Sequence, residues 1–137
     1  MTKSFNIRYR EQDINFYAYL KSYSDDCYCM WRKNNEQKNV YSIERLDILS
    51  EFRRKGLARK LLNDAIEHIK IECPQACIEI TAEPDTDSGV TIENLVAFYE
   101  SLGFEKYLQL SSRVHLRLYL DDYVKPHTVY DNPFYFR

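Results

Sequence analysis

Three cations and a lone glycine, Arg53, Arg54, Lys55 and Gly56, stand directly before a run of helical period that begins at Leu57. A helix start exposes unpaired backbone N–H groups and carries the positive end of the macrodipole, so an anion can sit there. Gly56 has no Cβ to hold a phosphate off the backbone. Ala58 keeps the first turn thin, and Arg59 joins the three earlier cations in raising the local potential. The spacing is neither that of a Walker loop nor that of a dinucleotide-binding glycine turn. Taken alone, the stretch also fits a basic patch for nucleic acid or a solvated helix end that binds nothing. A second group is Tyr99 in "NLVAFYESLGF". Helical period sets it beside a core face formed by Leu95, Phe98 and Leu102, from where its hydroxyl can reach a cleft and donate a proton to a leaving anion. Taken alone, Tyr99 also fits as one packing tyrosine among twelve.

The elements that must position these groups follow from the pattern. "SFNIRYRE", "INFYAYLKS", "DCYCMWRK" and "VYSIERLDIL" are rich in aromatic and β-branched residues and are bounded by polar turns, which predicts four strands. From Gly56 the period changes. Leu57, Ala58, Leu61, Leu62, Ala65, Ile66 and Ile69 form one stripe, with charged residues opposite, as in an amphipathic helix packed on a sheet. "ACIEITAE" predicts a short central strand. "TIENLVAFYESLGF" predicts a second helix, capped by Thr91 and stopped by Gly103 in the left-handed region. "EKYLQL" and "RVHLRLYL" add two strands. The order predicts a mixed α/β fold with an antiparallel part and a crossover.

Bulk composition narrows the function classes. The chain has 137 residues, a length that suits one domain with its own core. The formal net charge of −2 argues against a dedicated nucleic-acid binder. No stretch has the length of a membrane span or the form of a signal peptide, so a cytoplasmic protein without membrane contact is expected. Cys27, Cys29, Cys73 and Cys77 lack zinc-site spacing and are read as buried reduced thiols, with no metal expected. His68, His115 and His127 have no partner at metal spacing. Twelve Tyr and seven Phe imply many half-buried aromatic positions on strands.

Together, in this order, the two motifs resemble the GNAT superfamily of N-acetyltransferases. "LDILSEFRRKGLA" matches its strand followed by [QR]-x-x-G-x-[GA] at a helix start, with Arg53, Gly56 and Ala58 on the signature positions. "FYESLGF" matches its second helix end. The resemblance covers about Val40 to Tyr107. It implies a mostly antiparallel sheet flanked by helices, with a splayed central strand pair that forms an acyl-CoA cleft. It implies one domain over 1–137, with the acyl-CoA core at about 40–107. Acetyl-CoA is the implied co-substrate, its pyrophosphate held by N–H groups from Arg54 through Lys55, Gly56, Leu57 and Ala58 to Arg59, and its pantetheine arm paired along Ile48 and Leu49. Tyr99 is the implied acid for the departing thiolate, and a backbone N–H near Ile48 the implied donor to the thioester carbonyl.

Such an enzyme needs a base for the amine, which is mostly protonated at neutral pH. Glu44 is the first candidate, with Asp47, Glu79 and Glu83 behind it. Strict alternation puts Glu44 on one side with Leu46 and Ile48, and Asp47 on the other with Ile43 and Leu49, so only one of the two can face the cleft unless a bulge intervenes. The chain departs from the family pattern in two places. Ile92 stands where many members have a pantetheine-binding Asn, with Asn94 close by at a different offset. Only about forty residues precede the "SIERLDIL" strand, and they read as strands where the family has two helices that shape the acceptor pocket. That abbreviated acceptor half is open to a small amine or a protein segment, or is completed by a homodimer partner or by the Tyr-rich tail after Tyr119. A catalytically silent domain that holds CoA or a protein partner is the alternative reading.

Overall fold

The computed structural model describes residues 5–85 and 89–120. Four consecutive strands come first: β1 (Ile7–Gln12), β2 (Asn15–Leu20), β3 (Tyr28–Lys33) and β4 (Val40–Asp47). A 3-10 turn at Ser50–Phe52 leads into helix α1 (Leu57–Glu72). Strand β5 (Cys77–Ala82), helix α2 (Ile92–Ser101) and strands β6 (Glu105–Gln109) and β7 (Val114–Tyr119) follow. All seven strands form one sheet in the order β1-β2-β3-β4-β5-β7-β6. Every neighbouring pair is antiparallel except β4 and β5. The expected element order and mixed sheet are therefore observed. No helix among the described residues is long and apolar enough to cross a membrane.

The alternation of each strand assigns two unequal faces. Ala18, Cys29, Trp31, Tyr41, Ile43, Ile78, Ile80 and Leu116 share one face and join a single core cluster with Leu57, Leu61, Leu62, Ala65 and Ile69 of α1. Leu61 and Leu62 are fully buried, which contributes about 2–3 kcal/mol each in transfer free energy. Helix α2 lies over this same face. Its Val96 and Tyr99 belong to the cluster, and a Cβ on Gly103 would stand 3.1 Å from Leu118, the register partner of Ile78. The opposite face carries Arg10, Tyr17, Tyr19, Tyr28, Met30 and Arg32, and no helix among the described residues packs on it. Arg10 lies over the Tyr17 ring at 4.5 Å, and Tyr17, Tyr19 and Tyr28 are half-buried, so the expected aromatic strand positions are found. Before β3 the described residues form a hairpin, β1 to β2, and no helix, and among the described residues that opposite face is left bare.

All four cysteines are free and buried, and burial raises the pKa values of Cys27, Cys29 and Cys77. His68 packs its ring against Tyr9 at 4.1 Å and Trp31 at 5.9 Å, and His115 pairs with Thr81. Asp121, Asp122, His127 and the remainder of the Tyr-rich tail lie outside the described residues.

Candidate active site

β4 and β5 are parallel neighbours over only three residue pairs, Val40↔Cys77, Tyr41↔Ile78 and Ser42↔Glu79. Beyond them the two strands part. β4 runs on to Asp47 against β3, and β5 runs on to Ala82 against β7, so each keeps its outer partner and loses the inner one. The inner edges therefore expose backbone N–H and C=O groups that the ladder no longer satisfies. A cavity of about 920 Å³ opens there, lined by Ile43–Ser50 on one side and by Ile80, Thr81 and Glu83 on the other. Asn94, Leu95, Phe98 and Tyr99 of α2 close it.

At one end the cavity reaches the start of α1. Gly56 is the N-cap in the left-handed region, φ 86°, and Arg54 shares that region at φ 61°. The first helical bond runs from the Lys60 N–H to the Gly56 carbonyl, 3.0 Å. Among the described residues, the backbone N–H groups from Arg54 to Arg59 have no backbone acceptor at hydrogen-bonding geometry. Successive N–H groups alternating through left-handed positions form an anion-binding concavity at the positive end of a helix. A recess of about 200 Å³ lies against them, lined by Arg53, Arg54, Gly56, Leu57, Ala58 and Arg59 among others. Ile48, Arg53, Ala58 and Phe98 line both spaces, which are therefore adjacent. Nothing stands within 4 Å of a Cβ built on Gly56. The positive φ is thus what favours glycine here, since a Cβ would meet no neighbour in the fold.

The cations divide by task. Arg53 turns its Nε back to the Ile48 carbonyl, 3.2 Å, and braces the loop. Arg59 donates to Ser101 Oγ at 3.0 Å and covers the Phe98 ring, tying α1 to α2. Lys60 pairs with Asp64.

The phrase "FYESLGF" is a helix stop. Leu102 is the C-cap and Gly103 follows at φ 104°. The Gly103 N–H donates to the Glu100 carbonyl (3.0 Å) and the Phe104 N–H to the Tyr99 carbonyl (3.3 Å), the paired bonds of a Schellman motif. The Phe104 ring then packs 6.2 Å from the Tyr99 ring. Thr91 caps the other end by accepting from the Asn94 N–H, 3.1 Å. The motif therefore fixes where Tyr99 sits.

Tyr99 departs from the expectation in one respect. It lies on the buried face of α2, 5 % exposed, rather than beside that face. Leu95, Phe98 and Leu102 are only partly buried, and the first two face the cavity. The Tyr99 hydroxyl has no hydrogen-bond partner among the described residues. Burial, with a smaller influence from Cys29, pushes its pKa well above the ordinary tyrosine value, so the phenol keeps its proton.

The carboxylates require a second correction. The register of β3 against β4 slips between Met30↔Arg45 and Trp31↔Ile43, which leaves Glu44 as an extra residue, a β-bulge. The bulge returns Leu46 to the face of Ile43, opposite Cys29. Glu44 therefore does not share a side with Leu46. Its carboxylate accepts from the Ser42 hydroxyl, and Asp47 pairs with Arg45 at 3.0 Å, both on the bare side. Both acids line the cavity, the outcome that strict alternation excluded and a bulge allows. Glu79 is held by Arg117 at 3.0 Å and is not among the lining residues, while Glu83 is. Among the described residues no three or more His, Cys, Asp or Glu are placed to share a metal ion.

Comparison with known proteins gives a consistent family. Residues 10–106 match the family model described as an acetyltransferase (GNAT) domain. An uncharacterized N-acetyltransferase of Methanocaldococcus jannaschii is 31% identical over 80 residues, which are 58% of this chain and 32% of that protein. The match thus spans about a third of the length of this relative. Three solved structures share the fold at low identity. ElaA of Escherichia coli has a TM-score of 0.59 at 16% identity over 78% of this chain and 70% of its own. A GNAT family acetyltransferase of Elizabethkingia anophelis with acetyl-CoA bound has a TM-score of 0.60 at 12% identity over 78% and 77%. The ribosomal-protein-S18-alanine N-acetyltransferase of Escherichia coli has a TM-score of 0.55 at 16% identity over 90% and 75%.

Proposed function

The chain belongs to the GNAT acetyltransferase family, and on that premise we propose that it transfers the acetyl group of acetyl-CoA directly to a primary amine. The observation that carries the reading is the adjacency of two spaces with shared walls. The row of unpaired N–H groups at Arg54–Arg59 borders the smaller, and the open inner edges of β4 and β5 and the Tyr99 hydroxyl border the larger. Those features fit the co-substrate: N–H groups for a pyrophosphate, strand edges at Ile48 and Leu49 for an amide-bearing arm, and an apolar wall of Leu95 and Phe98. Acetyl-CoA, when bound, supplies an activated thioester.

The chain's own residues do the rest. A backbone N–H near Ile48 polarises the thioester carbonyl. Tyr99 approaches from the helix-covered side and donates a hydrogen bond to the departing sulfur. Its high pKa suits a donor that does not release its proton to bulk solvent first. Glu44 approaches from the bare side and takes the proton of the amine, directly or through water. Asp47 is less available for that task because Arg45 engages it. Four free thiols suit a reducing compartment, and we assign the reaction to the cytoplasm.

The test is thiol release from acetyl-CoA over a panel of primary amines, with acetyl-CoA binding measured in parallel by calorimetry. Binding with amine-dependent thiol release is expected. Binding without release over the whole panel would instead support a silent CoA-holding domain.

A further inference from the structure

The wall of the larger cavity carries acid from three separate chain segments. Asp25 and Asp26 come from the β2–β3 connection, Glu44 and Asp47 from β4, and Glu83 and Asp85 from the segment after β5. Leaving aside Asp85, which has an interaction of its own, the described residues of the lining set five carboxylates against two guanidiniums, Arg45 and Arg53. Arg45 is paired with Asp47, and Arg53 is turned onto the Ile48 carbonyl at the α1 end. The excess at the β4–β5 mouth is therefore negative. The Tyr99 hydroxyl is a separate sign that the space receives a ligand: it sits on a residue only 5 % exposed, borders this cavity, and lacks a partner among the described residues.

We propose that the acceptor is a short aliphatic diamine or polyamine, acetylated at one end while a second ammonium is held by the acidic mouth. The inference rests on the acyl-transfer reading above. Charge selects the class. A monoamine loses its cation before attack and leaves the wall uncompensated, whereas a second ammonium stays charged and is attracted throughout the reaction. Size selects a small molecule, because a cavity of about 920 Å³ must also take the acetylated arm. In the step, the neutral amine nitrogen forms a bond to the acetyl carbon and the carbon–sulfur bond breaks. The sulfur gains one proton, and the ammonium's second lost proton leaves through the base to solvent. The products are the N-acetyl amine, CoA thiol and one proton.

The experiment compares kcat/KM for 1,4-diaminobutane, butylamine and a short lysine-containing peptide in low and high salt. An exposed acidic mouth predicts a preference of about tenfold or more for the diamine over butylamine, shrinking several-fold as salt screens the wall. The double variant Asp25→Asn, Asp26→Asn narrows the ratio of diamine to butylamine about threefold, with acetyl-CoA affinity measured to verify an intact fold. Equal use of butylamine overturns the acceptor assignment and leaves amine acetylation standing. Preference for the peptide over the diamine overturns the small-molecule choice. Release of no thiol with any amine overturns this inference together with the acyl-transfer reading.

Discussion

The two ends of the cleft hold charge by different means. At the α1 end backbone N–H groups set by a left-handed glycine stand beside the exposed cations Arg54 and Lys55, while Arg53, Arg59 and Lys60 are occupied within the protein. At the β4–β5 mouth the negative potential belongs to side chains, several on exposed connections such as Asp25, Asp26 and Glu83. A ligand held by backbone is insensitive to most substitutions and sensitive to conformation. A ligand held by side chains is the reverse. The first arrangement suits a co-substrate that never changes, and the second suits an acceptor that differs from one relative to another.

The largest effects are expected between the two ends, where single side chains act on the reacting atoms. Tyr99→Phe is expected to lower kcat about a hundredfold while acetyl-CoA affinity stays within about twofold. Glu44→Gln is expected to produce a similar loss, and its rate should recover partly as pH rises and the amine deprotonates without help. Steady-state kinetics over pH separates the two. If both variants keep wild-type turnover, neither group belongs to the chemistry.

The next effect sharpens the backbone end. Gly56→Val forces a β-branched residue to φ 86° and fills the open space above the loop, so acetyl-CoA affinity should fall tenfold or more, by about 1.4 kcal/mol at least. Lys55→Ala should cost about twofold. Calorimetric titration compares them, and a larger loss from Lys55→Ala would make the site one of side-chain charge after all.

The smallest effect concerns Tyr99 at rest. Its pKa is raised in the fold by burial, so the neutral phenol is favoured there over the unfolded chain. That contribution is intact below the ordinary value near 10 and is lost as pH rises beyond it toward the folded value. By pH 11 the loss is about 1 kcal/mol, a few degrees in Tm. Thermal melts between pH 9 and 11 should fall more steeply for the wild type than for Tyr99→Phe. Tyr41 and Cys77, the latter's thiol pushed up to about 11 by burial, add a slope common to both proteins.

Much of this arrangement was legible in the sequence, and the failures have physical causes. The α1 stripe from Leu57 to Ile69 was readable because one face of that helix meets only core. On α2 the same reasoning misplaced Tyr99. Leu95 and Phe98 border a ligand cleft, and periodicity does not tell apolar residues that face a cleft from those that face a core. The splay of β4 from β5 was legible only through the family resemblance, since neither strand carries a local mark of where its neighbour leaves. The sequence offers Asp25, Asp26 and Glu83 as acids that would suit a cationic acceptor but does not place them, because they meet Glu44 only in three dimensions. The bulge did leave a trace. Omitting Glu44 from "YSIERLD" gives an unbroken alternation, with Tyr41, Ile43 and Leu46 inward and Ser42, Arg45 and Asp47 outward.

That spare residue separates what the sheet needs from what lines the cavity. Substituting most positions of β4 perturbs both, because each side chain serves the ladder or the core as well as the cleft. Excising Glu44 outright would leave a regular strand in phase with β3 on both faces. Glu44 is thus the position of β4 at which a chain could lose a codon and keep its fold, and at which relatives with and without acetyl transfer could differ by length alone.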